Sequence, residues 1–434
     1  MTRFLYTLLI ILLLPYALLH LAWRSRRQPE YLRHIGERFG FYASTPRQPL
    51  IWLHAVSVGE TRAAQPLIAR LRVQFPQHQI LITHMTPTGR QTSVELFGDE
   101  VLRVYLPYDY PFAVARFLRH FQPQIGIIME TEWWPNLIAA CREREVPLLL
   151  VNARLSEKSA QRYARWPQLV RDSLKKLSAI AAQTQTDAAR LQALGAAGVE
   201  IFGNLKFDLE PPPSQLAAGA ALRAAIGARP ALLAASTREG EEALILDALQ
   251  TQPPGQTLLI IVPRHPQRFD AVAALIEAHG LKLARRSGGA PLGEQTQVLL
   301  GDTMGEMFAY YAACDVAFIG GSLLPLGGQN LIEAAACGKP ALTGPHTFNF
   351  AEATENAIAA GAALRVASAE EMLRQARQLL SDSTRRDTMG EAGREFCARH
   401  RGATEKTLGL IEQAMRRSSA SPPLPNPLPA GERG

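Results

Sequence analysis

Residues 320–345 read GGSLLPLGGQNLIEAAACGKPALTGP, between the apolar runs VAFIGG (316–321) and ALTG (341–344). A Gly-rich loop separates the first run from a helical stretch, and Gly338-Lys339-Pro340 stops that stretch before the second run. This is the punctuation of a strand, a crossover helix and a parallel strand. The loop delivers a helix N-terminus at Asn330, with Glu333 one turn in. Free backbone N–H groups there can hold a phosphate, and a carboxylate has two oxygens for the vicinal hydroxyls of a ribose.

Outward from this unit the same alternation recurs. LIWLHA (50–55), ILITH (80–84), IGIIM (125–129), LLLVN (148–152) and AIAAQ (179–183) each end in a turn and precede a helical stretch. The pattern pauses at EPPPSQ (210–215), a stiff Pro-rich linker, and restarts with ALLAAS (231–236), TLLIIVP (257–263) and QVLLG (297–301). The expected fold is therefore α/β: two Rossmann-like doubly wound domains, residues 25–210 and 211–415, facing a cleft. Ligands of open α/β sheets sit beyond the carboxyl ends of the strands, so chemistry belongs to the residues just after each run. The Pro-rich end of the chain, 416–434, is expected to be a disordered tail.

The chain opens differently. FLYTLLIILLLPYALLHLAW (4–23) has twenty residues without formal charge and as one helix would be about 30 Å long, the thickness of a bilayer core. Arg24, Arg26, Arg27, Arg33 and Arg38 follow it, against Arg3 alone before it, which orients the bulk of the chain to the cytoplasm. The expectation is a transmembrane anchor over residues 1–24, with Pro15 as a kink and Tyr16 and Trp23 at the interface. A cleaved signal peptide is the rival, but it calls for a shorter apolar core and a small-residue cleavage site.

Basic residues exceed acidic ones by seven, 46 against 39, and only seven of the 46 are lysine. Guanidinium favours planar, bidentate partners such as phosphate and carboxylate. So small an excess, with no block of like charges, does not require nucleic acid. An anionic substrate and an anionic membrane both fit. Four separated cysteines show neither a disulfide framework nor metal-binding spacing, and no DxD occurs, so no metal is expected.

The strand ends supply the candidate residues. HAVSVGE (54–60) puts Glu60 at or just before a helix N-terminus, where it is either a cleft carboxylate or a partner of the helix dipole. His54 reads as a packed histidine. ETEWWPN (130–136) offers Glu130, Glu132 and two tryptophans that suit a sugar or acyl surface, or equally a domain core. Lys206 follows the Gly203-Asn204 turn as a phosphate contact or a solvated lysine. STREGEE (236–242) can open a helix with Ser236 or Thr237 as N-cap, leaving free N–H groups for an anion. PRHPQRF (263–269) places Arg264 and His265 at the cleft, and GDTMGEM (301–307) repeats the arrangement with Gly305 and Glu306.

Together the Gly-rich loop, Glu333 and Gly338-Lys339-Pro340 resemble the nucleotide-sugar signature of GT-B glycosyltransferases. HAVSVGE, ETEWWPN, NARLS, NLKFD, PRHPQRF, GDTMGE, GGQNLIE and PHTFNF occur in the order seen in the 3-deoxy-D-manno-octulosonic acid (Kdo) transferases of Gram-negative bacteria, and the resemblance runs from the anchor to about residue 410. It implies transfer of Kdo from CMP-Kdo to lipid IVA, the lipid A precursor, in lipopolysaccharide core biosynthesis at the cytoplasmic face of the inner membrane. It implies that Glu60 is the general base, that Glu130 and Lys206 stabilise the transition state, and that CMP is held by Arg264, His265, Met304, Gly305, Glu306, Asn330, Leu331, Ile332 and Glu333. The reaction is inverting in this family, without cofactor, and its partners are CMP-Kdo, lipid IVA and the anionic lipids of the membrane. Two alternatives stand beside it. A UDP-sugar transferase would share the 320–345 region without reason to share HAVSVGE and ETEWWPN, and a non-catalytic scaffold would bind CMP without transfer.

Overall fold

The computed structural model describes residues 2–26, 29–253, 255–289 and 292–420. The chain forms two compact units, Met1–Asp208 with Arg401–Gly434, and Leu209–His400.

The first unit is built on seven parallel strands, β1 (Leu50–His54), β2 (Gln79–His84), β3 (Leu102–Tyr105), β4 (Ile125–Met129), β5 (Leu148–Ala153), β6 (Ala179–Ala182) and β7 (Val199–Ile201). Their order is β3-β2-β1-β4-β5-β6-β7. Described helices of its N-terminal part are α1 (Arg3–Leu12), α2 (Leu14–Ser25), α3 (Val58–Ala63), α4 (Gln65–Gln74), α5 (Pro87–Phe97), α6 (Pro111–Phe121) and α7 (Pro135–Glu143). All of β1 is buried, because a parallel sheet is covered on both faces. Alternate residues divide between two cores. Ile51 and Leu53 join Leu67, Ile68 and Leu71 of α4, whereas Leu50 and Trp52 join Phe117 and Phe121 of α6. Trp52 lies edge-on to Phe117 with centroids 5.0 Å apart. Across the sheet, a Cβ on Gly126 would stand 2.7 Å from the Trp52 ring, so β4 needs glycine there.

The second unit repeats the plan with β8 (Ala231–Thr237), β9 (Leu258–Pro263), β10 (Leu283–Arg285), β11 (Val298–Leu300), β12 (Val316–Ile319), β13 (Ala341–Thr343) and β14 (Ala363–Arg365). The order is β10-β11-β9-β8-β12-β13-β14, again all parallel. Leu232, Ile261, Phe318 and Leu342 meet Met372, Leu373 and Leu379 of the helix Ala369–Ser381 in one core.

Three expectations are corrected. The second domain ends at His400 rather than 415: the helix Ala403–Ala420 returns to the first unit, where Ala403, Leu408 and Ile411 enter the Ile51/Leu53 core. Residues 416–420 of the expected tail belong to that helix, and 421–434 lie outside the described residues. Of the linker prolines, Pro212 keeps polyproline dihedrals, φ −59° and ψ 135°, and Pro213 opens the helix Pro213–Ile226. Finally, the N-terminal apolar segment is not one spanning helix. Among the described residues no single helix is long and apolar enough to cross a membrane, and α1 and α2 meet that test only together, bent by 51°. Pro15, in the first turn of α2, lacks the N–H that would continue the ladder from α1, and its ring crowds the carbonyl one turn back.

Candidate functional site

In the first unit the direction of winding reverses between β1 and β4, which are neighbours in the sheet although β2 and β3 intervene in sequence. Such a switch point opens a crevice at the carboxyl edge of a doubly wound sheet. Glu60 follows β1 and Glu130 follows β4, so both carboxylates belong to that edge.

Local sequence explains how each is held. Ser57 caps α3, its Oγ accepting the Glu60 N–H, and Glu60 reaches back: Oε2 accepts from the Val56 N–H at 2.8 Å and Oε1 from the Ser57 hydroxyl at 3.0 Å. This is close to a capping box. The carboxyl is 9% exposed, and burial, followed by the charge of Glu130, pushes its pKa up to about 8. Glu130 adopts a left-handed backbone, φ 58°, pinned by its N–H donating to the Val151 carbonyl, and its Oε1 lies 3.3 Å from Lys206 Nζ. Strain of this kind, of order 1–3 kcal/mol, persists where the surroundings over-determine it. Lys206 is presented by a turn whose Leu205 N–H donates to Asn152 Oδ1 and whose own N–H donates to Asn204 Oδ1. Glu60, Glu130 and Lys206 are thus brought together.

The neighbours divide between support and lining. His54 is fully buried, Nδ1 bonded to Thr83, and burial holds it down to about 3, so it stays neutral as a packed residue. Trp134 donates its indole N–H to Glu132, while Trp133 stands edge-on to Tyr163, 4.9 Å between centroids. With Ile138, Leu150 and Leu155, Trp133 and Tyr163 line an apolar pocket that opens beside Glu130 and Glu132.

In the second unit the candidate nucleotide residues follow β9 and β12, which flank the central strand β8, and β11, the next strand out from β9. Arg264 donates its backbone N–H to Thr237. Burial first, then the charges of Arg238, Arg264 and Arg268, hold His265 below its usual value, so a neutral imidazole stands in a field of guanidinium. Arg268 is committed to Glu242 by two bonds of 2.8 and 3.0 Å. Met304 is exposed and Gly305 is left-handed, φ 81°. Glu306 is engaged by Arg286 at 3.1 Å and by Thr303; burial raises its carboxyl, but these bonds outweigh it and leave the pKa lowered.

Two details of the sequence reading are corrected here. The helix after the Gly-rich loop starts at Ile332, not Asn330, and ends at Ala336; Asn330 precedes it, its Oδ1 accepting the Ile332 N–H and its amide donating to Glu333 Oε1 at 3.1 Å. Neither Ser236 nor Thr237 caps the helix Glu241–Thr251. Its N-cap is Gly240, and the Glu241 carboxylate accepts the N–H groups of Arg238, Gly321, Ser322 and Leu323. The anion that fills this ring of donors is the chain's own. Glu241 and Arg286 escaped sequence reasoning, because a first-turn acid and a loop arginine carry no local mark of a distant partner. Among the described residues no group of three or more His, Cys, Asp or Glu is placed to hold a metal.

Residues 33–209 match the family model described as 3-deoxy-D-manno-octulosonic-acid transferase (kdotransferase), and residues 278–396 match glycosyl transferases group 1. A 3-deoxy-D-manno-octulosonic acid transferase of Bordetella pertussis is 46% identical over 428 residues, which are 95% of this chain and 99% of that protein. Its counterpart in Haemophilus influenzae is 39% identical over 427 residues, 96% of this chain and 100% of that one. A glycosyltransferase structure from Rickettsia africae, 14% identical, superposes with a TM-score of 0.58 over 85% of this chain and 99% of its own, a likeness of fold.

Proposed function

The chain belongs to the 3-deoxy-D-manno-octulosonic acid (Kdo) transferases, and from that premise we propose that it transfers Kdo from CMP-Kdo to lipid IVA by one inverting displacement, with Glu60 as general base. The observation that carries the mechanism is the Glu60 carboxyl, buried at the sheet's switch point and pushed up to about 8. An acceptor hydroxyl is a poor nucleophile until its proton has somewhere to go, and a carboxylate raised toward the working pH is a stronger base than an ordinary one.

The acceptor O–H gives its proton to Glu60 as the oxygen bonds to the anomeric carbon, and the bond from that carbon to the CMP phosphate breaks, its electron pair leaving with CMP. Inversion follows, with no covalent enzyme intermediate. Charge develops on the departing phosphate, so cations are needed there. Lys206, steered by Glu130, is assigned to that task. Arg264 and His265, Met304 to Glu306, and Asn330 to Glu333 are assigned to CMP, in keeping with the guanidinium groups around His265. The apolar pocket beside Glu130 and Glu132 favours an acceptor that carries acyl chains. The work is placed at the cytoplasmic face of the inner membrane, in lipopolysaccharide biosynthesis.

The test is transfer from CMP-Kdo to lipid IVA by Glu60→Ala. Loss of a general base costs about 10²–10⁴-fold. Activity within a few-fold of wild type removes Glu60 from the role, and turnover of UDP-sugars in place of CMP-Kdo removes the donor assignment.

A further inference from the structure

The N-terminal helices present one stripe to the protein and the remainder to the outside. In α1, Tyr6, Thr7 and Ile10 are half-buried; the stripe continues through Leu14 and Ala17, half-buried, to Leu21, buried. These positions recur at three and four residues, one face of a helix. The α1 part of the stripe is fastened by polar bonds to the first unit. Arg3 pairs with Glu143 at 2.7 Å, Tyr6 donates to Asp109, Thr7 donates to Asn136 Oδ1 at 3.0 Å, and Tyr110 donates to the Ile10 carbonyl at 3.2 Å. Asp109 is itself buried, accepting the Asn136 and Leu137 N–H groups at the start of α7.

These bonds bear on how the segment meets a membrane. While α1 is fastened, it cannot enter a bilayer core without carrying Asp109, Asn136 and Glu143 with it, and an unsolvated charge there is costly. That leaves α2, whose 12 residues span about 18 Å, against the roughly 30 Å of hydrocarbon a crossing needs. Yet eleven of the 23 exposed large apolar side chains among the described residues fall between Phe4 and Trp23. An apolar concentration of this kind marks an interaction surface.

The surface also extends beyond the two helices. Tyr110, bonded to α1, stacks on exposed Phe112 at 5.7 Å; Arg116 lies 5.4 Å from the Phe112 ring and 4.3 Å from that of exposed Phe41. Arg24 and Arg26 are exposed at the end of α2, and residues 2–26 contain no acid. Apolar and aromatic side chains rimmed by arginine fit the boundary between the acyl chains and headgroups of an anionic monolayer.

We propose that α1 and α2 lie in the plane of the membrane as a docked, non-spanning pair, and that their outer face, continued by Phe112, Arg116 and Phe41, seats the first unit on an anionic lipid monolayer. The inference rests on the membrane attachment proposed above and separates from it in the test. The full chain carrying Thr2→Cys is exposed to a membrane-impermeant maleimide in inside-out and right-side-out inner-membrane vesicles, with the wild-type signal subtracted. In-plane helices leave residue 2 on the cytoplasmic side, so labelling of inside-out vesicles exceeds that of right-side-out vesicles at least tenfold. Labelling from the opposite face of a membrane-bound chain overturns the placement while attachment stands. A chain that stays in the soluble fraction overturns attachment and placement together. As a second arm, Phe41→Asp with Phe112→Asp weakens binding of the purified chain to phosphatidylglycerol-containing vesicles at least tenfold; unchanged binding, as a spanning anchor requires, overturns the proposal.

Discussion

Glu60 serves two demands that pull in opposite directions. As the acid of a capped helix start it should be ionised, since it accepts from Val56 and Ser57; as a buried group beside Glu130 it resists ionisation, and the second effect wins, at about 8. A carboxyl raised from 4.5 holds a proton in the folded chain that the unfolded chain has already lost, so between about pH 4.5 and 8 stability falls as pH rises. Glu60→Gln keeps the shape without the charge. Its Tm should exceed that of wild type by a few degrees at pH 8 and by less at pH 5, in calorimetric scans of both proteins; equal margins at the two pH values would mean that Glu60 titrates normally. A general base must be ionised to act, so under the role proposed for Glu60 kcat/KM for Kdo transfer should climb with pH and level off above about 8. A profile flat from about pH 6 to 9 would detach the reaction from this carboxyl. Glu60, Glu130 and Lys206 were legible because each follows a strand or a turn that announces itself. Asn152, which holds the turn presenting Lys206 from β5, was not, because its partner is 53 residues away.

At the scale of elements, the ten strands legible in the sequence are the ten interior ones. The four it hid, LRVY, VEI, LAR and ALR, are β3, β7, β10 and β14, the two edges of each sheet. An interior strand is covered on both faces and reads as an unbroken apolar run; an edge strand is short and tolerates charge, so its pattern dissolves into its surroundings. The Gly-rich loop shows the complementary limit. Its glycines announce a turn, but what holds the turn is Glu241, fully buried and bonded to four N–H groups. Glu241→Ala leaves those donors in a dry interior, where each unmet group costs about 1–3 kcal/mol. Denaturant unfolding should report a loss of about 3 kcal/mol or more in the second unit, and Glu241→Gln, which keeps one carbonyl, should lose less. A loss below about 1 kcal/mol for Ala would mean that water or a rearranged loop satisfies the donors.

For the whole molecule, the order of the chain and the division of its cores do not coincide. The first unit is completed by residues that follow the second, and the amphipathic stripe of Ala403–Ala420 explains why that was invisible: Leu408 and Ile411 declare that one face is covered but not by what. The cover is the α4 side of the first sheet, and the join is polar at its start, where Asp208 accepts the N–H groups of Gly402 and Thr404. Burying an Ile or Leu side chain contributes about 1.5–3 kcal/mol, so Leu408 and Ile411 together supply about 3–6. A chain ended after residue 400 should therefore unfold its first unit at lower temperature than one ended after residue 420, while the transition of the second unit, whose core contains none of these residues, stays in place. Hydrogen exchange resolves the two units in one experiment: faster exchange of the β1 and β4 amides with unchanged β8 and β12 amides is the expected pattern. If both sheets lose protection equally, the helix stabilises the chain as one cooperative block; if neither does, the Leu67, Ile68 and Leu71 face of α4 closes without it.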